Sequence, residues 1–375
     1  MVTIEEIARL AGVSIGTVDR VLHDRGRVSN QTRDKILSIV ESTGYKPNVI
    51  ARSLCLTNKN KLGILLPTLN DDSGLWALAE TGIEKAANEL SNLAVETYYE
   101  YFDSQNIESL YSAYSSLLSK EVKGLILSLG NNQSFAPLIS SFTIPYIYIG
   151  SRIDETAPLT IITQNHRQSG VVGARMLSLL CPNGTRFVSI CTTEEFENEI
   201  IRKRLEGVVG FFSKRNHNAD VSHMLIQDYS KIDIEALFDV DGIIILSSKM
   251  YSLVDNLEDL EKRPIIVGYN PVPKNRIAVK KGLADCIISQ RIEEQGYYAM
   301  RNLCRKIVLS QNVEKEIIIY PEILLPENMF QNHETRKTTQ YPESLSSPIF
   351  SSHTSSTHSE VLTKAVLKTS GSKSQ

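Results

Sequence analysis

The sequence predicts an all-α head followed by a two-lobed α/β body of parallel sheets and a polar tail. Three observations predict it. Apolar residues recur at helical spacing through residues 4–40. From residue 62 onward, short unbroken apolar runs alternate with helical stretches, the mark of strands buried on both faces. After residue 330 that pattern stops. The chain has 375 residues, more than one compact domain usually holds. Its 42% apolar and 22% charged residues are ordinary for a globular chain able to bury sizeable cores.

The head is read first. Thr3 and Glu6 have the spacing of a capping box, opening a helix with Ile4, Ile7, Ala8 and Ala11 on one stripe. Gly12 permits a turn, Val13 packs inward, and Ser14 caps a second helix over residues 15–22. Val18, Val21 and Leu22 take the inner side of that helix, with Ile15, Thr17 and Arg20 towards the other. A third helix starts near Ser29, carries Ile36, Leu37 and Val40, and stops at Gly44. Two helices joined by A-G-V-S fit a helix-turn-helix, whose second helix enters the major groove of DNA. On helix lengths alone a three-helix bundle of another purpose fits as well. Residues 1–60 hold nine Lys/Arg against six Asp/Glu in a chain of net charge −3, so a slightly basic head precedes an acidic body.

The residue order is more specific. T-I-E-E-I-A-R-L-A-G-V-S-I-G-T-V-D-R-V-L at 3–22, V-S-N-Q-T-R at 28–33 and G-Y-K-P-N-V-I-A-R-S-L at 44–54 resemble the head of LacI/GalR-family transcriptional regulators. The resemblance implies that Ile15, Gly16 and Arg20 face base edges, and that Ser14 and Thr17 contact phosphate or cap the helix. A guanidinium such as Arg20 can grip guanine O6 and N7 together. Ile15, Gly16 and Asp19 depart from the residues common in the family, which bears on the operator sequence. The 46–54 segment resembles the family's hinge helix, with Pro47 at its start. The resemblance implies an orienting role for Asn48, a phosphate or minor-groove contact for Arg52, and minor-groove wedging by Leu54. The bland alternative is that Leu54 is an ordinary apolar helix residue, which the surrounding match disfavours.

In the body, strands are expected at 62–67, 93–101, 123–129, 145–149, 159–163, 186–191, 222–227, 242–246, 264–268, 285–289 and 316–320. Helices are expected at 74–91, 107–119, 166–180, 198–214, 249–260 and 292–310. So many strands imply two subdomains. Ligands of such sheets bind beyond the strands' carboxyl ends, where Asn70-Asp71-Asp72, Asn165, Ser247-Ser248-Lys249, Asn270 and Gln290 offer donors and acceptors. Asn, Asp and Ser at such places also cap helices.

The body is also similar to the family's effector domain, itself similar to the periplasmic sugar-binding proteins, as far as about residue 329. R-L-E-G at 204–207, V-G-Y-N at 267–270 and I-I-S-Q at 287–290 carry the resemblance. They imply effector contacts for Arg204, Asn270 and Gln290. Asn165 and Ser247 stand where Asp and Asn are common in sugar-binding relatives, so charge is lost while hydrogen bonding is kept. That points to a different sugar, a sugar acid or a phosphorylated ligand. Asp72 and Trp76 complete the expected effector set. Trp76, the only tryptophan, can stack on a sugar face or equally serve the core or a dimer interface.

The expected domains are therefore a DNA-binding head (1–46), a hinge helix and linker (47–60), a two-lobed effector-binding and dimerisation domain (61–330) and a disordered Ser/Thr-rich tail (331–375). No apolar run approaches the roughly 20 residues that span a bilayer. The N-terminus lacks a basic, apolar leader. Five scattered cysteines fit reduced thiols in a cytoplasm, and seven histidines show no zinc spacing. Phosphate-loop, dinucleotide and nucleophile-elbow motifs are absent. The adjacent pairs Glu194-Glu195 and Asp71-Asp72 read as solvated. The expectation is a non-enzymatic homodimeric regulator without cofactor, metal or membrane partner, commonly a repressor in the family, that binds double-stranded operator DNA and a sugar-like effector. Two rivals stand beside it: a ligand sensor whose head no longer binds DNA, motivated by Gly16 and Asp19, and a sugar-modifying α/β enzyme.

Overall fold

The structure, a computed structural model, describes residues 3–22, 26, 28–43, 60–68, 74–129, 132–150, 153–215, 219–257 and 263–329. The hinge, the tail and the expected site residues Asn48, Arg52, Leu54 and Asp72 lie outside them.

Three helices make the head: α1 (Ile4–Ala11), α2 (Ile15–Leu22) and α3 (Asn30–Thr43). Thr3 accepts the Glu6 amide, while the Glu6 carboxylate pairs with Arg9 at 3.6 Å. Gly12, at φ 69°, closes α1 in the left-handed region that glycine enters freely. Ser14 and Ser29 cap α2 and α3 alike: each accepts the amide three residues on and bonds the threonine hydroxyl there. Ile7, Ala8, Ala11, Val18, Val21 and Ile36 form the buried core. Leu37, expected inside, is 45% exposed, and Ile39 packs against the core instead. The inner stripe of α3 is thus Ile36, Ile39 and Val40.

The body holds two six-stranded sheets. Its elements run β1 (Asn60–Pro67), α4 (Leu75–Glu89), β2 (Val95–Phe102), α5 (Ile107–Ser119), β3 (Leu125–Leu127), β4 (Tyr146–Ile149) and β5 (Thr160–Thr163). The chain continues through α6 (His166–Leu180), β6 (Arg186–Thr192), α7 (Glu199–Arg215), β7 (Asp220–Ile226), β8 (Gly242–Ile245), β9 (Ile265–Tyr269), α8 (Pro273–Lys280) and β10 (Cys286–Ser289). It ends with α9 (Ile292–Ile307), β11 (Glu316–Ile318) and β12 (Glu322–Leu324). The strand orders are β11-β5-β4-β3-β1-β2 and β12-β10-β9-β8-β6-β7. Every pairing is parallel except β10 with β12.

Alternate side chains of each strand feed separate cores on the two faces of its sheet. Ile64 and Leu66 meet α4 and α9, whereas Leu65 meets α5. Ile243 and Ile245 meet α8, whereas Ile244 meets α6 and α7. The expected 316–320 strand is shorter, Glu316–Ile318, and an unexpected strand, β12, follows in the other sheet, because Pro321 interrupts the ladder as the chain changes lobe. The expected 249–260 helix is a single turn, Met250–Val254.

Three segments cross between lobes: Gln164-Asn165, Gln290-Arg291 and Ile319–Pro321. Two close helix crossings brace the lobes. A Cβ on Gly170 of α6 would lie 2.0 Å from the Arg204 carbonyl oxygen of α7, so only glycine permits that approach.

Candidate functional site

Two surfaces carry chemistry. The first is the outer face of α2. Burial of Val18 and Val21 turns Ile15, Gly16 and Arg20 to solvent, with Ile15 47% exposed. The Ser14 Oγ accepts the Thr17 amide at 3.2 Å and lies 2.9 Å from Thr17 Oγ1, so both hydroxyls serve the cap.

The second is a cleft of about 1020 Å³ lined by residues of both lobes. It gathers Trp76, Arg204, Ser247, Asn270 and Gln290 of the expected set. Asn165 is not in the lining; it is exposed and caps α6 by accepting the Gln168 amide at 2.9 Å. Trp76 is half-buried, packing on the core of the first lobe while it borders the cleft.

The floor is a buried hydrogen-bond network. Arg204, 2% exposed, donates from Nη1 to the Leu246 carbonyl at 2.7 Å and from Nη2 to Gln290 Oε1 at 3.3 Å. Its guanidinium lies 3.9 Å from the Tyr269 ring centroid, a cation–π contact that offsets part of the lost hydration. Burial lowers its pKa to about 10, opposed by Tyr269, and the group remains charged at neutral pH. Asn270 takes φ 63°, a region asparagine tolerates better than most residues. It donates to Ser248 Oγ at 2.8 Å and accepts the Gln290 amide at 3.1 Å. Behind it, Asn275 donates to the carbonyls of Ser248, Tyr269 and Asn270 and accepts the Tyr251 amide. Ser247 Oγ lies 3.1 Å from the Tyr229 hydroxyl. His166, beside the first crossing, is buried with neither ring nitrogen hydrogen-bonded. Burial, and then the charges of Arg204 and Lys203, push its pKa down to about 3.

Comparison with known proteins supplies the frame. Residues 3–48 match the family model described as bacterial regulatory proteins, lacI family. Residues 62–308 match the periplasmic binding protein domain. The chain belongs to the LacI family of bacterial regulatory proteins. Catabolite control protein A of Priestia megaterium is 29% identical over 45% of this LacI-family chain and 49% of its own length. The sucrose operon repressor of Staphylococcus xylosus is 27% identical over 59% of this chain and 66% of its own. The chain thus spans about half to two thirds of the curated relatives it matches. The lac repressor dimer bound to operator and the anti-inducer ONPF superposes with a TM-score of 0.55 at 17% identity, over 86% of this chain and 97% of that one. That likeness speaks for the fold.

Other cleft residues escaped the reading of this LacI-family sequence, among them Gln105, Asn132, Asn198 and Arg202. Glu195, read as solvated, closes a capping box with Thr192 and accepts the Tyr229 hydroxyl at 2.7 Å. The T-x-x-E spacing at 192–195, the same as at Thr3, was the available signal. Among the described residues no cluster of His, Cys, Asp or Glu could hold a metal ion, and no helix is long and apolar enough to cross a membrane.

Proposed function

We propose that the chain is a sequence-specific DNA-binding transcriptional regulator, acting as a repressor in the cytoplasm and not as an enzyme. A small polar effector of sugar type, held between the lobes of a homodimer, sets its operator affinity. What supports this is the pairing, in one chain, of an outward-facing α2 with a polar cleft floored by lobe-crossing segments. Arg20 reads a guanine edge, Ile15 meets a thymine methyl, and Gly16 lets the helix lie close to the groove. Ser14 and Thr17 hold the end of α2 against phosphate. By the resemblance, Asn48, Arg52 and Leu54 act at the hinge and minor groove. Arg204, Ser247, Asn270, Gln290 and Trp76, with Asp72, hold the effector. Asn165 is assigned to capping. The proposed domains are 1–46, 47–60, 61–330 and 331–375. The relatives named as repressors and the operator-bound neighbour support the same reading.

The test is selection of bound sequences from a random duplex pool at moderate salt. A near-palindrome should emerge, be lost with Arg20→Ala, weaken with Leu54→Ala, and show a steep salt dependence. A folded protein that enriches nothing, with or without sugars, would leave the ligand-sensor rival standing.

A further inference from the structure

The charge on the cleft floor narrows the effector class. Among the described residues, the buried part of the lining holds one ionised group, Arg204, beside the neutral Ser247, Asn270 and Gln290. Its two hydrogen bonds go to a carbonyl and an amide oxygen, neither of them charged. Its Nε is buried with no acceptor. A guanidinium has five N–H donors, so most of this one's capacity is unspent.

The carboxylates of the lining do not neutralise it. Glu195 is engaged by Tyr229 and the Thr192 amide, and Glu199 pairs with Lys203. Asp154, Glu194 and Glu197 are exposed on the rim, where water screens them. The half-buried cations Arg202 and Lys249 stand on the same wall as Arg204, and Arg202 donates only to backbone carbonyls, those of Phe196 and Glu197. A buried cation left without a counter-charge is unfavourable, so a partner that brings one is favoured.

We infer that the effector is an anion: a polyhydroxylated monocarboxylate, such as a uronic or aldonic acid, whose carboxylate docks on Arg204 while its hydroxyls meet Ser247, Asn270 and Gln290. This rests on the cleft being the effector site, as proposed above. Guanidinium matches a carboxylate in two-point geometry. Among the described residues the floor buries one cation, so the single charge of a sugar acid balances it, whereas a phosphate dianion would leave a second buried charge unmatched.

The experiment is calorimetric titration of the full chain with glucose, glucuronate, gluconate and glucose 6-phosphate, and with galactose and galacturonate. At least one acid should bind ten-fold or more tightly than its neutral hexose, and weaken as salt rises. Arg204→Met should bring acid and hexose to within about three-fold of each other, an expectation drawn from loss of the charge-assisted pair. Arg204→Lys should retain a preference for the acid, and circular dichroism checks that each variant is folded. Equal or better binding of the neutral sugar, preference for the 6-phosphate, or no binding by any acid overturns the inference. Operator selection without ligand is scored separately. A selected operator with no acid bound sinks this inference alone, and acid binding without an operator sinks the regulator.

Discussion

Asn275 is the residue whose removal most directly tests how the cleft floor is held. It is fully buried, and its amide nitrogen donates to three carbonyls, those of Ser248 at 2.8 Å and of Tyr269 and Asn270 at 3.0 Å. Its oxygen accepts the Tyr251 amide at 2.9 Å. Two hydrogens serving three carbonyls means that one bond is shared. Asn275→Leu keeps the volume and deletes all of these bonds. At about 1–3 kcal/mol for each orphaned buried group, and less for a carbonyl that keeps another partner, the expected loss is about 3–5 kcal/mol. That is a large part of the roughly 5–15 kcal/mol by which a folded domain is usually stable.

Asn275→Asp sharpens the test. It preserves shape and the acceptor for Tyr251, but sets an oxygen where three carbonyl oxygens converge. An ionised carboxylate there is repelled, so the acid form is favoured and the folded pKa rises above the unfolded value near 3.9. Stability is then greatest below the unfolded pKa and is lost as pH rises towards the folded one. The variant should lie closest to wild type near pH 4 and fall behind it by neutral pH. Urea unfolding followed by circular dichroism reads both variants. A loss below about 1 kcal/mol for Asn275→Leu, or a pH-independent gap for Asn275→Asp, would refute the idea that this side chain holds the floor.

Three further outcomes are expected. Buried, uncharged His166 has its pKa lowered from 6.5 to about 3, so its share of stability is lost as pH falls from the unfolded value towards the folded one. Between about pH 7.5 and pH 5 that share is about 2 kcal/mol; urea titrations should find it absent from His166→Gln and present in the difference between wild type and variant. Gly170→Ala drives a methyl against the Arg204 carbonyl and should destabilise by about 1–3 kcal/mol in the same assay. Ser14→Ala removes the cap of α2 at about 1 kcal/mol, which hydrogen exchange of the Thr17 amide and operator titration should both register.

The head was legible because its signals are local. Ser14, Ser29 and Gly12 act within four residues of themselves, and each does what its type predicts. Leu37 was misread because which stripe of a helix faces inward is set by its neighbours, here α1 and α2. The 316–320 run has good strand composition, and nothing local says that Pro321 marks a change of lobe. In the cleft, Arg204, Ser247, Asn270 and Gln290 stood out as polar residues in motifs or after strands. Asn275 did not, since its partners are backbone atoms of segments up to 27 residues away. Asn165 looked like a ligand group and caps a helix, because one residue type serves both ends.

Gln290 stands where the cleft floor meets a crossing between the lobes. Its side chain accepts from Arg204 and its amide donates to Asn270, both in the second lobe. Its carbonyl accepts from Gln295 of α9 at 2.7 Å, and α9 packs on the first lobe. Its neighbour Ser289 offers a carbonyl to Gln164 at the first crossing. Arg204 therefore stands one hydrogen bond from the Gln290 crossing and, through Ser289, a second from the Gln164 crossing. Proximity alone moves nothing: a ligand that held Arg204 equally well in two lobe arrangements would leave their balance unchanged. The orphaned atoms at this level, Gln164 Oε1, Arg204 Nε and Gln295 Oε1, are the groups whose pairing can differ between arrangements. If a ligand satisfies Arg204 in only one of them, the lost or gained bonds at Gln290 and Gln295 carry the difference into α9.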